Sequence, residues 1–336
     1  MTKKKLKKPD DPARLKMGSK PFRYGIKIYQ ERKSPYLSPT TVSENVRKLN
    51  QFASIFEGFV SAGKSASADP RHIGEREIEL FLGHMRSRNL SATTRRSYIK
   101  ILRGFLLLFR NNIIDEMKAN GKMDVALKGD MPAIEFMSLD QLQRVFDAAD
   151  EIPGYEGTMI RGFIALIFGI AGRPKEIIEA RMEDLNLEEE LFYVRHPKGE
   201  GSYGSRQWIP IIRKDMIPRI RTFLDERKRA LEAIGITSPY LFTNTSSMAP
   251  YGLKTMRTWK GLIEARVGFR FKLKSFRSSY ATITYSFGGT EIKDAISKQM
   301  RHSSTHTTEA YYIAYEMEEA KKRLTEEWKK SEIRHK

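Results

Sequence analysis

The sequence predicts a mainly α protein of two domains, one helical and one mostly helical with a small antiparallel sheet. Three observations carry this. At 336 residues the chain is long enough for two separate cores. Apolar residues recur every three to four positions through most of it, the helical period. Only two short β-type runs occur, Leu191–Val194 and Gln207–Ile212, and Gly199, Gly201 and Gly204 lie between them, as in a hairpin with a long turn.

Residues 1–38 are basic and broken by prolines, and read as a flexible tail with some local order around Phe22–Tyr29. A helical domain is expected over 39–114. Thr40 or Thr41 can cap a first helix carrying Val42, Val46, Leu49, Phe52, Phe56 and Phe59. A second helix runs near 75–88 on Ile78, Phe81, Leu82 and Met85. A third follows Ser91 with Tyr98, Ile101, Leu102, Phe105, Leu106 and Phe109, and its other face holds Arg95, Arg96, Lys100 and Arg103. That basic face suits contact with DNA phosphates, or is an ordinary solvated face.

Residues 115–135 are polar and glycine-containing and read as a linker. The second domain spans 136–336. Ser138 and Gln141 form a capping-box pair, and the run 157–170 is apolar almost all round, so it should be a buried central helix. Further helices are expected at 215–233, 252–266, 276–287, 290–300 and 307–330.

Sixty Lys and Arg against 41 Asp and Glu give a formal charge of +19. A polyanionic partner is the commonest reason for such an excess, with nucleic acid ahead of an anionic membrane or of mere solubility. The absence of cysteine removes disulfides, thiolate catalysis and thiolate zinc sites, and is compatible with the cytoplasm. No apolar run approaches the ~20 residues that span a bilayer, so no membrane association is expected.

One constellation points to chemistry. His302 precedes Tyr311 by nine residues. A phenol titrates near ~10, so tyrosine is a weak nucleophile unless cations surround its target. Attack on a phosphodiester needs guanidiniums on the non-bridging oxygens and an acid for the leaving oxygen, and no metal or cofactor. Arg173, Lys198 and Arg277 are candidates for these cations. Singly, each has a plainer reading: Arg173 could pair with Glu176 or Asp184, Lys198 could be a solvated turn lysine, Arg277 could cover a helix surface, and His302 could cap a helix.

In this order the residues resemble the tyrosine recombinases, the family of phage-type integrases and chromosome-dimer resolvases. Gly172-Arg173-Pro174-Lys175-Glu176-Ile177 is similar to the family's first arginine box. Lys274-Ser275-Phe276-Arg277-Ser278-Ser279-Tyr280-Ala281-Thr282 is similar to the second. His302-Ser303-Ser304 followed by Thr307-Thr308 and Tyr311 is similar to the third, with the same gap. Ser238–Phe242 resembles the lead-in to the second box. The likeness is strong over 136–315 and architectural over 40–112, where it implies a core-DNA-binding domain.

The resemblance implies a site-specific DNA recombinase that cuts and rejoins double-stranded DNA through a 3′-phosphotyrosyl intermediate. Four protomers would act on two sites, and the two domains would clamp the duplex. Arg173 and Arg277 would bind the scissile phosphate, Lys198 would protonate the 5′-oxygen, His302 would donate to a phosphate oxygen, and Tyr311 would attack. Glu176 would support Arg173 or its helix. Tyr312 and Tyr315 are weaker choices of nucleophile. The implied location is the nucleoid, in the cytoplasm. A type IB-like topoisomerase and a catalytically decayed DNA-binding protein are the alternatives. Two departures stand out. Lys274 replaces the usual histidine and is a poor proton acceptor at neutral pH. Arg301 replaces the usual glycine and gives up that residue's backbone freedom.

Overall fold

A computed structural model of the chain describes residues 11–123, 135–201 and 204–301. The chain divides into two compact units, residues up to 132 and from 133 onward.

The first unit holds five helices among its described residues: α1 (Pro21–Lys33), α2 (Pro39–Ser61), α3 (Glu75–Ser87), α4 (Ala92–Leu106) and α5 (Ile113–Ala119). Local chemistry sets their starts. Ser38 and Ser91 are N-caps, each accepting a hydrogen bond from the third helical residue, Thr41 and Thr94. Pro39 takes the first position of α2, so the cap lies ahead of Thr40 and Thr41. At α3 the Glu77 carboxylate accepts from the Gly74 N–H at 2.9 Å.

The expected flexible tail is corrected over 11–38. Phe22, Ile26 and Tyr29 fall on one face of α1, and all are buried. The Phe22 ring lies 4.7 Å from Phe105 and 5.4 Å from Phe56, and Arg23 forms a two-pronged ion pair with Glu57. A Cβ on Gly25 would sit 3.0 Å from the rings of Phe105 and Phe109, so the glycine lets α1 approach α4 closely. Burial of Phe22, Gly25, Ile26, Ile28 and Tyr29 outweighs the basic character of the segment. The linker is corrected at its start as well. Residues 113–119 are helical, and Ile114, Met117 and Met123 are buried in the first core. Residues 124–134 lie outside the described residues.

The second unit begins with α6 (Leu139–Asp150), where Ser138 and Gln141 form the expected capping box. The central helix is α7 (Gly154–Gly169), buried along most of its length. It packs on α9 (Ile217–Glu232) so closely that a Cβ on Gly162 would meet the Phe223 ring at 2.3 Å. Between them come the short α8 (Pro174–Ile178) and an antiparallel sheet in the order β1-β2-β3, formed by Leu185–Asn186, Leu191–Val194 and Gln207–Pro210. Phe192 pairs with Ile209 facing the core, and Tyr193 pairs with Trp208 outward, rings 5.2 Å apart. Strand β1 was not expected from the sequence. Strand β3 stops at Pro210, which has no N–H to donate, two residues short of the expected end.

Helices α10 (Leu253–Val267), α11 (Ser275–Gly288) and α12 (Lys293–Gln299) follow among the described residues. Arg227 on α9 is buried and donates to the carbonyls of Leu241, Ser238 and Tyr240, which fixes the segment before α10. Burial pushes its guanidinium below its ordinary value. The helix expected at 307–330 lies outside the described residues.

Candidate active site

The site is built on the turn that follows α7. Ala171 has φ +51, the left-handed region, and points its carbonyl toward α11. A Cβ at Gly172 would lie 2.8 Å from Ile177 Cδ1, so a larger residue there would push the Ile177 side chain aside. Arg173 is the N-cap residue of α8, and Pro174 takes the first helical position. Glu176 closes a capping box by accepting from the Arg173 N–H at 3.1 Å. Its other oxygen accepts from Arg173 Nη1 at 2.8 Å. Both supports expected of Glu176, for Arg173 and for its helix, are thus present.

Arg277 comes from α11, 106 residues away, and is 6 % exposed. Its Nη1 donates to the Ala171 carbonyl at 2.5 Å. The structure therefore brings Arg173 and Arg277 to one turn, where a plain surface arginine on α11 would have pointed to water. The start of α11 is itself anchored. Ser279 Oγ accepts from the Met137 N–H at 2.7 Å, and the bond is buried.

The far side of the turn is closed by the end of α12 and the residues just after it. Gln299 Nε2 donates to the carbonyls of Ile170 and Pro210 at 3.2 and 3.0 Å. Arg301 follows with φ +51, so the position where the resemblance places glycine adopts a conformation that glycine would take without strain. Its carbonyl accepts from Arg173 Nη2 at 3.2 Å, and its guanidinium pairs with Glu176. The Glu176 side chain is 2 % exposed and that of Arg301 7 %. Burial pushes the Arg301 guanidinium below its ordinary value, with Glu176 opposing and Arg173 adding to the shift.

The remaining candidates are less enclosed. Lys198 lies in the turn after β2 and is exposed, with no ion pair among the described residues. Lys274 precedes α11, one turn ahead of Arg277, and is exposed. Its carbonyl accepts from the N–H groups of Arg277 and Ser278. His302 and Tyr311, with Tyr312 and Tyr315, lie outside the described residues. In the first unit, the basic face of α4 is partly engaged within the unit. Arg95 donates to the Leu90 carbonyl and Arg103 pairs with Asp115, both at 2.5 Å, while Arg96 and Lys100 are exposed. Among the described residues no group of three His, Asp or Glu side chains is arranged to hold a metal ion.

A guanidinium pair fixed to one rigid turn, with a carboxylate locking one member, suits a phosphodiester. The model of the Phage integrase family matches residues 135–319, more than half of the chain. The chain belongs to the phage integrase family. Within it, the tyrosine recombinase XerA of Pyrococcus furiosus is 28% identical over 153 residues, which cover 45% of this chain and 49% of that protein. The match therefore spans about half the length of that curated relative.

The fold of this integrase-family chain is also that of solved recombinases. A Tn1549 transposon integrase in complex with circular intermediate DNA is similar at a TM-score of 0.65 and 15% identity, covering 87% of this chain and 95% of that one. XerH site-specific recombinase bound to its difH substrate is similar at 0.63 and 17%, covering 91% and 97%. Both likenesses include the mainly helical architecture and the small sheet expected from the sequence. The phage integrase assignment leaves the Arg301 contacts unexplained. The only hint of them in the sequence was the cation in place of glycine.

Proposed function

We propose that this chain is a site-specific DNA recombinase that cuts and rejoins double-stranded DNA through a covalent 3′-phosphotyrosyl intermediate. The convergence of Arg173 and Arg277 on the 171–173 turn carries this reading, because it gathers two always-charged, planar donors at one place. Their N–H groups bind the non-bridging oxygens and stabilise the charge that develops there. The Tyr311 oxygen attacks phosphorus, and the bond to the 5′-oxygen breaks. Lys198, on a turn with room to reach, gives its proton to that leaving oxygen. His302 and Lys274 donate to phosphate oxygens. Lys274 acts by charge, since an ammonium is a poor base at neutral pH.

The bond energy of each cut phosphodiester is kept in the tyrosyl ester, so rejoining needs no nucleotide cofactor. A 5′-hydroxyl from the exchanged strand attacks the ester and releases Tyr311. The working unit in this reading is a tetramer on two DNA sites, acting on the nucleoid. No described helix is long and apolar enough to cross a membrane.

The test is covalent trapping. Duplexes with a nick inside randomised sequence are incubated with the protein, and adducts are mapped by mass spectrometry. A phosphotyrosyl bond at Tyr311, absent from Tyr311→Phe, is expected. An adduct that persists in Tyr311→Phe would overturn the nucleophile, and no adduct from the unaltered protein would leave only DNA binding.

A further inference from the structure

We propose that Arg301 is a positioning residue for Arg173, holding it by two grips and leaving the cluster they form with Glu176 a net positive charge. This rests on the recombinase reading above. The first grip is the Arg301 carbonyl, which accepts from Arg173 Nη2. The second runs through Glu176. Arg301 Nη2 takes one carboxylate oxygen, and Arg173 Nη1 takes the other.

The sharing matters electrostatically. Glu176 with Arg173 alone is a neutral pair, and a neutralised guanidinium stabilises weakly the charge that develops on the phosphate oxygens in the transition state. With Arg301 on the same buried carboxylate, two cations face one anion and the cluster keeps a net positive charge. In a little-hydrated site that charge is poorly screened.

Stability alone does not explain this residue. Its Nε and Nη1 are buried with no hydrogen-bond partner among the described residues. Burying unpaired N–H groups of a cation is unfavourable. Its backbone is also held at φ +51, where a side chain is strained. Three adverse features at one position, beside the arginine that binds phosphate, point to a role in the reaction. That role belongs to the carbonyl's direction and to Glu176, both of which act on Arg173.

The two halves of the idea give an unusual signature. Arg301→Gly should relieve the backbone strain and remove the unpaired N–H groups, and Glu176 keeps Arg173 as its partner. The variant should melt no lower than the unaltered protein. Its single-turnover rate of covalent adduct formation on the trapped nicked duplex, at saturating DNA, should fall about 10- to 100-fold. The same fall is expected for Arg301→Met. DNA affinity, measured in a Tyr311→Phe background so that no bond forms, should change less than about threefold. Because Arg301 acts through Glu176, Arg301→Met and Glu176→Gln together should slow the step by less than the product of their separate effects. Adduct formation at the unaltered rate in both Arg301 variants would overturn the proposal and leave the recombinase reading intact. A rate loss that tracks a lower melting temperature or weaker DNA binding would overturn it too, by making Arg301 structural. Absence of any adduct from the unaltered protein would instead remove the recombinase reading itself.

Discussion

Arg277 gives one N–H group of its planar fork to the Ala171 carbonyl. A lysine there has one compact ammonium and cannot hold the carbonyl and a phosphate in the same fixed plane. Arg277→Lys is therefore expected to lower adduct formation on nicked DNA by at least about 100-fold, roughly 2.7 kcal/mol of transition-state stabilisation. DNA retention in a filter-binding assay should persist. The arginines themselves were legible in the sequence, because each lies in a segment whose neighbours restrict it. Gly172 and Pro174 force a turn at Arg173, and Ser275 to Ser279 start a helix at Arg277. What holds them together was not legible. The Ala171 carbonyl bonds Arg277 across 106 residues and Arg301 bonds Arg173 across 128, and no local pattern records such pairs. The left-handed backbone at Ala171 and Arg301 was hidden as well, since alanine and arginine carry no turn signal.

Helix α1 shows how composition can mask an element. Lysines, arginines and Pro21 dominate residues 12–33, and they obscured a face of Phe22, Ile26 and Tyr29 at helical spacing. The period was present, but only over two turns, which is marginal without a partner surface. Phe22→Ala should destabilise the unit by about 3–5 kcal/mol and lower its denaturant midpoint. Trimming at residue 34 should have an equal or larger effect. The segment before α1 is tied down by Arg71, which donates to the carbonyls of Ala13 and Leu15 while bonding Asp69 at 2.5 Å. Burial raises the Asp69 carboxyl, but Arg71 outweighs this and holds it below its ordinary value. Such a group adds stability above its unfolded value of ~3.9 and loses it as pH falls through the lower folded value. Amide protection around residues 13–15 should therefore weaken in acid ahead of the rest of the unit, which hydrogen exchange would detect. The longer helices α2, α3, α4 and α9 were legible because each repeats its apolar face over three turns or more, and α7 because it is apolar almost all round.

The whole molecule carries a formal charge of +19, and in the recombinase reading this charge meets duplex DNA. Each phosphate neutralised releases counterions, so affinity should fall with salt on a log–log slope of about −0.9 per contact. Lys100→Gln on the exposed face of α4 should flatten that slope by about one contact and weaken all sequences alike, as titrations at several salt concentrations would show. The charge excess was visible at once, but its internal use was not. Arg103, Arg161, Arg195 and Arg219 are all committed to carboxylates within their own units, so net charge overstates the free cation supply. The long span between Arg173 and the Arg301 carbonyl also has a temporal consequence. A ribosome extends the chain from its N-terminus, so Arg173 emerges well before the residue that locks it. A growing chain of the second unit, or one broken off short of residue 301, would carry Arg173 and Arg277 without the Arg301 contacts to Arg173. Completion of the site thus waits on synthesis past residue 301, and in the recombinase reading an unfinished chain that meets DNA is ill equipped to cut it.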